Sequence, residues 1–394
     1  MSPPIAIEPQ SAYVPSTFTK SPEVAVKVTA LPVNKDVEER PRPSPKGYYD
    51  SLELFPRVHE ESYAEMKAEN YPYLDLLPHS PKGIHPPLKE VPHSDVGLRA
   101  DPAMPNLLKA PGAVFKEMTP GFGSEVHGIQ LSQMTNAQKD ELALMVAKRG
   151  LLVFRDQDLK DQGPAKMLEL GEHFGPLHTH QFGDMVKGYA GLTAVYRDQH
   201  KKLADAHVAG NVSSINWHTD MSYEINTVGT TFLMHMTGPP SGGDTIYASM
   251  TKAFSKLSPA FQEFLSTLSA VHSGHRQFSK AKTATGLIRE TIETIHPVVR
   301  THPVTGEKAL WVNPTYTSEI VGLKEEESEA ILRMLFLHTQ MGQDFHVRVH
   351  WEPGTVVVYD NRITQHSALL DFEPGPGIRR HLIRITPQAE RPFY

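Results

Sequence analysis

Trp217-His218-Thr219-Asp220, taken with His366 at the end of Asn361-Arg362-Ile363-Thr364-Gln365-His366, decides how this chain must fold. In an extended segment, side chains two residues apart point to the same side. His218 and Asp220 can therefore reach one metal ion from a single short segment, while Thr219 faces away. The remaining ligand must come from elsewhere, and His366 lies 148 residues further on. A His-x-Asp pair with one distant His is the ligand set of the 2-His-1-carboxylate facial triad, which fills one face of an octahedral Fe(II) and leaves the other open.

The pattern needs support, because the chain holds 21 His and two other segments imitate it. His93-Ser94-Asp95 lies in a Pro-rich stretch with no strand around it. His350-Trp351-Glu352 follows Phe345–Val349 and runs into a Glu352-Pro353-Gly354 turn. Short motifs of this kind carry a high false-positive risk. The His93 match reads as surface polar sequence, so substituting His93 or Asp95 is expected to leave activity unchanged.

A length of 394 residues suits one large domain with extensions, or two smaller ones. The hydrophobic fraction of 39% and charged fraction of 21% fit a globular chain. A net charge of -6 gives no electrostatic footprint for nucleic acid. No apolar run approaches the ~18–20 residues that span a membrane. Met1–Glu8 has neither the basic nor the apolar region of a signal peptide, and Arg is absent before Arg40, so a cytoplasmic location is expected. Zero cysteines exclude disulfides, thiolate zinc sites, iron–sulfur clusters and Cys nucleophiles, leaving only N and O ligands for a metal.

Residues 1–46 are rich in Pro, Ser, Val and Lys without a sustained period, and read as a disordered or loosely attached extension. Residues 47–111 carry Pro and aromatic turns with one short helix at 60–69, and are expected to wrap the main domain. The compact domain is read as 112–394. Thr135, with Gln138 three residues on, opens a capped amphipathic helix. Leu151–Arg155 reads as a buried strand and 165–174 as a second helix. Short strands follow at 228–236, 245–248, 309–313, 345–350, 355–359 and 380–386, interrupted by helices at 259–269 and 324–338. Many short strands with Gly/Pro turns predict a sandwich or barrel, mainly β with flanking α-helices.

Two further segments carry chemistry. Gly242-Gly243-Asp244-Thr245 gives a tight turn and starts a strand with the Thr245 hydroxyl, although a plain hairpin would read the same way. In Arg379–Arg384, strand alternation puts Arg380, Leu382 and Arg384 on one face. Two arginines on the inner face of a barrel would be costly unless each met an anion. An edge strand with solvated arginines is the alternative.

The order His218-x-Asp220, Gly-Gly-Asp-Thr245, His366, Arg380 resembles the TauD/TfdA family of Fe(II)/2-oxoglutarate dioxygenases, within it the taurine and fungal sulfonate dioxygenases. The resemblance runs from about residue 112 to the end. It includes His296-Pro-Val-Val-Arg-Thr-His-Pro303, Trp311-Val-Asn313, Arg379-Arg380 and Arg391-Pro-Phe-Tyr394. It implies a double-stranded β-helix, or jelly roll, with His218, Asp220 and His366 on iron. Thr245 and Arg380 match positions that hold the distal carboxylate of 2-oxoglutarate, whose other end chelates the metal. Arg384 is similar in position to the residue that binds a sulfonate, His180 to the histidine that assists it, and Tyr316 and Phe278 to aromatic walls. Gln277 replaces a small hydroxyl residue, and Asn211–Ile215 does not align cleanly, so the far end of the substrate differs. A compact, polar organosulfonate is expected, with taurine not necessarily the best.

The reaction implied is hydroxylation at the carbon bearing sulfur, with release of sulfite, an aldehyde, succinate and CO2 from 2-oxoglutarate and O2. The resemblance also implies a homo-oligomer. The alternatives are the same chemistry on an alkyl sulfate, aryloxyacetate or other carboxylate; a non-catalytic jelly-roll binding protein; and a zinc hydrolase. His272 and His275 read as loop or lid residues, His338, His346 and His350 as satisfied or surface histidines, Asp360 and Asn361 as turn-shaping, and His296, Arg300 and His302 as structural.

Overall fold

The computed structural model describes residues 53–200, 216–276, 288–373 and 375–394. Nine strands position the site: β1 (Phe122–His127), β2 (Leu151–Phe154), β3 (Tyr189–Arg197), β4 (Thr230–Thr237), β5 (Thr245–Ser249), β6 (His346–Val349), β7 (Val356–Asp360), β8 (Thr364–Ala368) and β9 (Arg380–Ile385). A large sheet runs β3-β9-β4-β7-β2-β1 through its centre, and a small sheet is ordered β6-β5-β8. The chain moves repeatedly between the two, from β4 to β5 and from β6 to β7 to β8 to β9. This is the double-stranded β-helix that the family resemblance implies, and it meets the sandwich or barrel expected from the strand pattern.

Strand alternation explains how the layers pack. One face of the large sheet supplies Leu151, Val153, Leu233, Val357, Tyr359 and Leu382, which meet Tyr247, Val347 and Val349 of the small sheet. The opposite face supplies Leu152, Phe154, Phe232, Met234, Ile383 and Ile385, which pack on two helices, α1 (Asn136–Arg149) and α2 (Pro164–Glu172). Behind the small sheet, the segments Met250–Ser255 and Pro259–Ser266 and a third helix, α3 (Glu325–Gln340), bury Phe254, Leu265, Leu332 and Leu335.

Local signals account for the ends of these elements. Thr135 Oγ1 accepts from the Gln138 N–H, and Gln138 Oε1 accepts from the Thr135 N–H, closing the expected capping box of α1. Gly150 ends α1 at φ 73°, where a Cβ would also meet the Phe122 ring at 2.6 Å.

The N-terminal part of the described chain adds to the large sheet. Leu54–Pro56 pairs with Pro78–Pro81, which pairs with Met185–Val186 beside β3. Asp95 is buried, caps Gly97 and ion-pairs with Arg362 at 2.5 Å. The expectation of exposed polar sequence at Asp95 is thereby corrected. The Pro-rich stretch hid a carboxylate whose partner lies 267 residues away.

Candidate metal centre

His218 lies on an isolated bridge that extends the small sheet beyond β8. Its N–H donates to the His366 carbonyl at 3.0 Å, and the His366 N–H returns a bond at 2.8 Å. This pairing closes the 148-residue gap and sets the two rings 4.2 Å apart. Asp220 follows two residues on, and Met221 then turns the chain with φ 43°, a left-handed conformation uncommon outside glycine. Asn361 Oδ1 accepts the Asp220 N–H at 3.1 Å, and Asn361 Nδ2 donates to Thr231 Oγ1 at 2.6 Å. Asn361 therefore aims the carboxylate segment as well as shaping its own turn.

Ligand atoms of His218, Asp220 and His366 all lie within 4.8 Å of one another. His218 Nδ1 faces the Asn216 carbonyl at 2.8 Å, which leaves Nε2 turned toward Asp220 at 3.7 Å. His366 Nε2 is 3.9 Å from the other Asp220 oxygen. Burial, reinforced by the nearby His218, pushes the His366 ring down to about 3, so it is neutral and free to coordinate. Burial works against ionisation of Asp220, but the adjoining Arg384 guanidinium holds its carboxyl well below the usual range. Two imidazoles and one carboxylate form a donor set suited to Fe(II). Another cluster, His59, Glu61 and His200, also brings ligand atoms together, but its two imidazole rings stack with centroids 4.6 Å apart and planes 8° from parallel. One ion cannot lie in both ring planes there.

The two inward arginines behave differently. Arg384 Nη1 donates to Asp220 Oδ1 at 2.5 Å, while the Tyr359 hydroxyl donates to Oδ2 at 2.8 Å. Arg380 donates from Nε to the Gly243 carbonyl at 2.9 Å and from Nη2 to Thr245 Oγ1 at 3.4 Å. No carboxylate of the described residues ion-pairs with Arg380. Burial pushes its guanidinium down to about 10, with Asp244 and Asp371 acting only from a distance. The Gly-Gly turn makes this approach possible. Gly242 and Gly243 have φ 78° and 71°, and a Cβ on Gly242 would meet the Asp371 carbonyl at 2.5 Å. Trp351 Nε1 also donates to Thr245 Oγ1, at 3.2 Å. With two donors filling its lone pairs, the Thr245 hydroxyl proton is left for another group.

Around Arg384 stand His180, Tyr223 and Tyr316. Burial first, and then Arg384, holds the His180 ring well below its ordinary value. The Phe182 N–H donates to His180 Nδ1 at 3.4 Å, which places the ring proton on Nε2. Tyr316 is buried against Tyr223, ring centroids 5.1 Å apart, near enough to Arg384 to interact with it electrostatically. Phe278, Gln277 and Asn211–Ile215 lie outside the described residues.

A buried network that sequence reasoning missed sits behind this group. Arg289 Nη2 donates to Glu224 Oε1 at 2.6 Å and to the Thr179 carbonyl at 3.2 Å, and His178 Nε2 is 3.0 Å from the same Glu224 oxygen. Burial opposes the Glu224 charge, yet Arg289 and His178 bring its carboxyl down to about 2. Nothing local in a single sequence marks this trio; Glu224 lies only four residues after Asp220, but its partners lie 46 and 65 residues away.

Several other histidines have structural partners. His338 bonds the Ala253 carbonyl, His346 the Thr339 carbonyl, and His350 the Asp244 carboxylate. His302 bonds Asp360 at 2.9 Å. His272 differs from expectation: it is fully buried on the strand Ser269–Ser273 and bonded to Ser222 Oγ, so it belongs to no loop, whereas His275 is exposed.

The chain has relatives among known proteins. The alpha-ketoglutarate-dependent (2-oxoglutarate-dependent) sulfonate dioxygenase of Saccharomyces cerevisiae is 41% identical, over 82% of this chain and 79% of its own. The alpha-ketoglutarate-dependent dioxygenase cnsM of Penicillium expansum is 43% identical, over 82% and 90%. A crystal structure of a taurine dioxygenase from Burkholderia xenovorans superposes with a TM-score of 0.58 at 28% identity, covering 72% of this chain and 93% of that one. The family described as taurine catabolism dioxygenase TauD, TfdA family, matches residues 115–386, well over half of the chain, and this chain belongs to it.

Proposed function

We propose that the protein is an Fe(II)- and 2-oxoglutarate-dependent dioxygenase that hydroxylates a small organosulfonate at the carbon bearing sulfur. His218, Asp220 and His366 would hold the iron. The fit rests on their close grouping, on a neutral His366 and on an ionised Asp220. Iron held in this way, with 2-oxoglutarate and O2, supplies the oxidation: 2-oxoglutarate becomes succinate and CO2 while one oxygen atom enters a C–H bond of the substrate.

The chain's own residues supply binding and orientation. Arg380, a buried cation without a carboxylate partner, and Thr245, with its proton directed outward, would take the distal carboxylate of 2-oxoglutarate. A guanidinium matches a carboxylate fork to fork. The observation that carries the substrate class is Arg384, whose guanidinium lies 2.5 Å from a ligand carboxylate. A cation there holds an anionic substrate within reach of the metal. The Nε2–H of His180 would donate to the same anionic group, with Tyr316, and Phe278 beyond the described residues, as its aromatic walls. Hydroxylation next to sulfur yields an unstable adduct that expels sulfite and leaves an aldehyde.

The sulfonate dioxygenase from Saccharomyces cerevisiae supports this reading, whereas the name cnsM specifies no substrate. Arg384 would equally hold a sulfate ester or a carboxylate. A panel of sulfonates, alkyl sulfates and carboxylates, ranked by kcat/KM for succinate formation, decides among them. A carboxylate that outperforms every sulfonate would remove the substrate class and leave the dioxygenase standing.

No helix among the described residues is long and apolar enough to cross a membrane. A cytoplasmic location, where 2-oxoglutarate and Fe(II) are available, belongs to this reading, and cell fractionation checks it. So does a homo-oligomer. Met334, Leu337 and Met341, on one face at the end of α3, are 43%, 45% and 73% exposed and offer an apolar patch. Light scattering in solution checks that.

A further inference from the structure

Antiparallel pairing of β5 and β8 sets Tyr247 directly opposite His366, two residues along β5 from Thr245. Alternate residues of a strand share a face. Thr245 and Tyr247 therefore both point into the space between the sheets, one beside Arg380 and the other beside the metal ligands. The Tyr247 ring stacks on His366, centroids 5.6 Å apart and 28° from coplanar, and lies 5.1 Å from the ring of Tyr359. These contacts and complete burial fix the direction of the phenol. Its hydroxyl nevertheless has no hydrogen-bond partner among the described residues. A sealed, unpartnered donor is costly, and protein interiors avoid one unless a bound group completes it. Two residues along the same strand face, the Thr245 hydroxyl is bonded by Arg380, so this face carries both the contact with a metal ligand and the arginine end of the site.

We propose that the Tyr247 hydroxyl donates a hydrogen bond to the distal carboxylate of 2-oxoglutarate, as a third donor beside Arg380 and Thr245. The inference rests on the reading that those two residues hold this co-substrate. In a dry site a donor of fixed direction discriminates strongly, because a keto acid without the distal carboxylate leaves it unpaired. Tyr247 thereby selects a dicarboxylate over a monocarboxylic 2-oxo acid.

Tyr247→Phe keeps the ring on His366 and removes only the hydroxyl. Dissociation constants are measured without O2 on Mn(II)-loaded protein, for 2-oxoglutarate and for 2-oxopentanoate, which has the same keto-acid end and no second carboxylate. The expected result is about tenfold weaker binding of 2-oxoglutarate, the loss of one charge-assisted hydrogen bond. Binding of 2-oxopentanoate and of Mn(II) should not change. The melting temperature of the protein without co-substrate should hold or rise, while its gain on adding 2-oxoglutarate shrinks. An unchanged 2-oxoglutarate constant, or equal weakening for both acids, overturns the proposal. Arg380→Ala, measured in parallel, separates the two layers. If it too leaves 2-oxoglutarate binding unchanged, the co-substrate site itself is misplaced; if it weakens binding and Tyr247→Phe does not, only the role of Tyr247 falls.

Discussion

Arg362 and Arg380 are both buried arginines of the same barrel, yet their surroundings differ in kind. Arg362 bonds Asp360 through Nε at 2.8 Å and Nη2 at 2.7 Å, reaches Asp95 at 2.5 Å, and has Glu390 at 3.3 Å. Arg300 pairs with the same Glu390, and His302 with the same Asp360. Burial alone would weaken the Arg362 charge, but these carboxylates hold its guanidinium well above the ordinary arginine value. Arg380 meets only a carbonyl and a hydroxyl, and burial pushes it down to about 10. Arg362 finds its anions inside the chain, which suits a structural role. Arg380 finds none among the described residues, which suits a cation that a ligand would complete. The contrast separates scaffold from site without reference to any relative.

Asp220 stands where the two regimes meet, since Arg384 and Tyr359 bond it while its oxygens still face two imidazoles. Asp220→Ala is expected to abolish turnover with the fold intact, because two neutral imidazoles hold Fe(II) far more weakly than a set with a carboxylate. Turnover, Mn(II) binding and a thermal melt together check this, and wild-type activity would remove the ligand assignment. Next in size, Arg380→Ala should weaken 2-oxoglutarate binding by tens- to thousands-fold, about 2–5 kcal/mol, while the protein without co-substrate loses no stability. Arg362→Ala and Asp95→Ala should do the opposite. Breaking a buried pair costs about 3–5 kcal/mol, read by urea denaturation, with the affinity of the folded fraction for 2-oxoglutarate unchanged. Equal stability losses for Arg362→Ala and Arg380→Ala would erase the distinction.

Arg384→Ala sharpens the comparison within β9. It should raise KM for the sulfonate and leave the 2-oxoglutarate constant near wild type, whereas Arg380→Ala acts on the co-substrate. Steady-state kinetics in both substrates shows whether the two arginines divide their work.

The smallest effect concerns a buried histidine on the scaffold side. Burial pushes His296 from 6.5 down to about 3. The unfolded chain takes up a proton near pH 6.5 and the folded one does not. The stability His296 contributes is therefore complete above pH 6.5 and is lost as pH falls from there toward 3. The slope from this one group approaches about 1.4 kcal/mol per pH unit. His296→Gln should flatten the urea stability profile between pH 6.5 and 4.5, and an identical slope in the variant would contradict this.

Much of the site was legible in the sequence because it uses local periodicity. His218 and Asp220 share a side by the period of an extended segment, and Arg380 and Arg384 share the inner face of β9 in the same way. The Thr135–Gln138 capping box and the Gly242-Gly243 turn are also local, and the structure holds both. What escaped was non-local. Asp95 read as surface because its partner Arg362 is remote in sequence. His272 read as loop because its strand pairs with two others that carry weak patterns. The Glu224–Arg289–His178 trio joins three unrelated segments. Tyr247 read only as one residue of a strand, because its significance depends on standing opposite His366.

Stoichiometry shows whether Arg384 presents a sulfonate to an iron held by His218, Asp220 and His366. Purified protein is supplied with Fe(II), 2-oxoglutarate, O2 and a compact sulfonate, and succinate and sulfite are quantified together. Wild type should release equal amounts of the two. Arg384→Ala should lose sulfite release at low sulfonate and regain it as sulfonate is raised. Succinate formation coupled to some other anion, with no sulfite from any sulfonate tested, would contradict that role of Arg384.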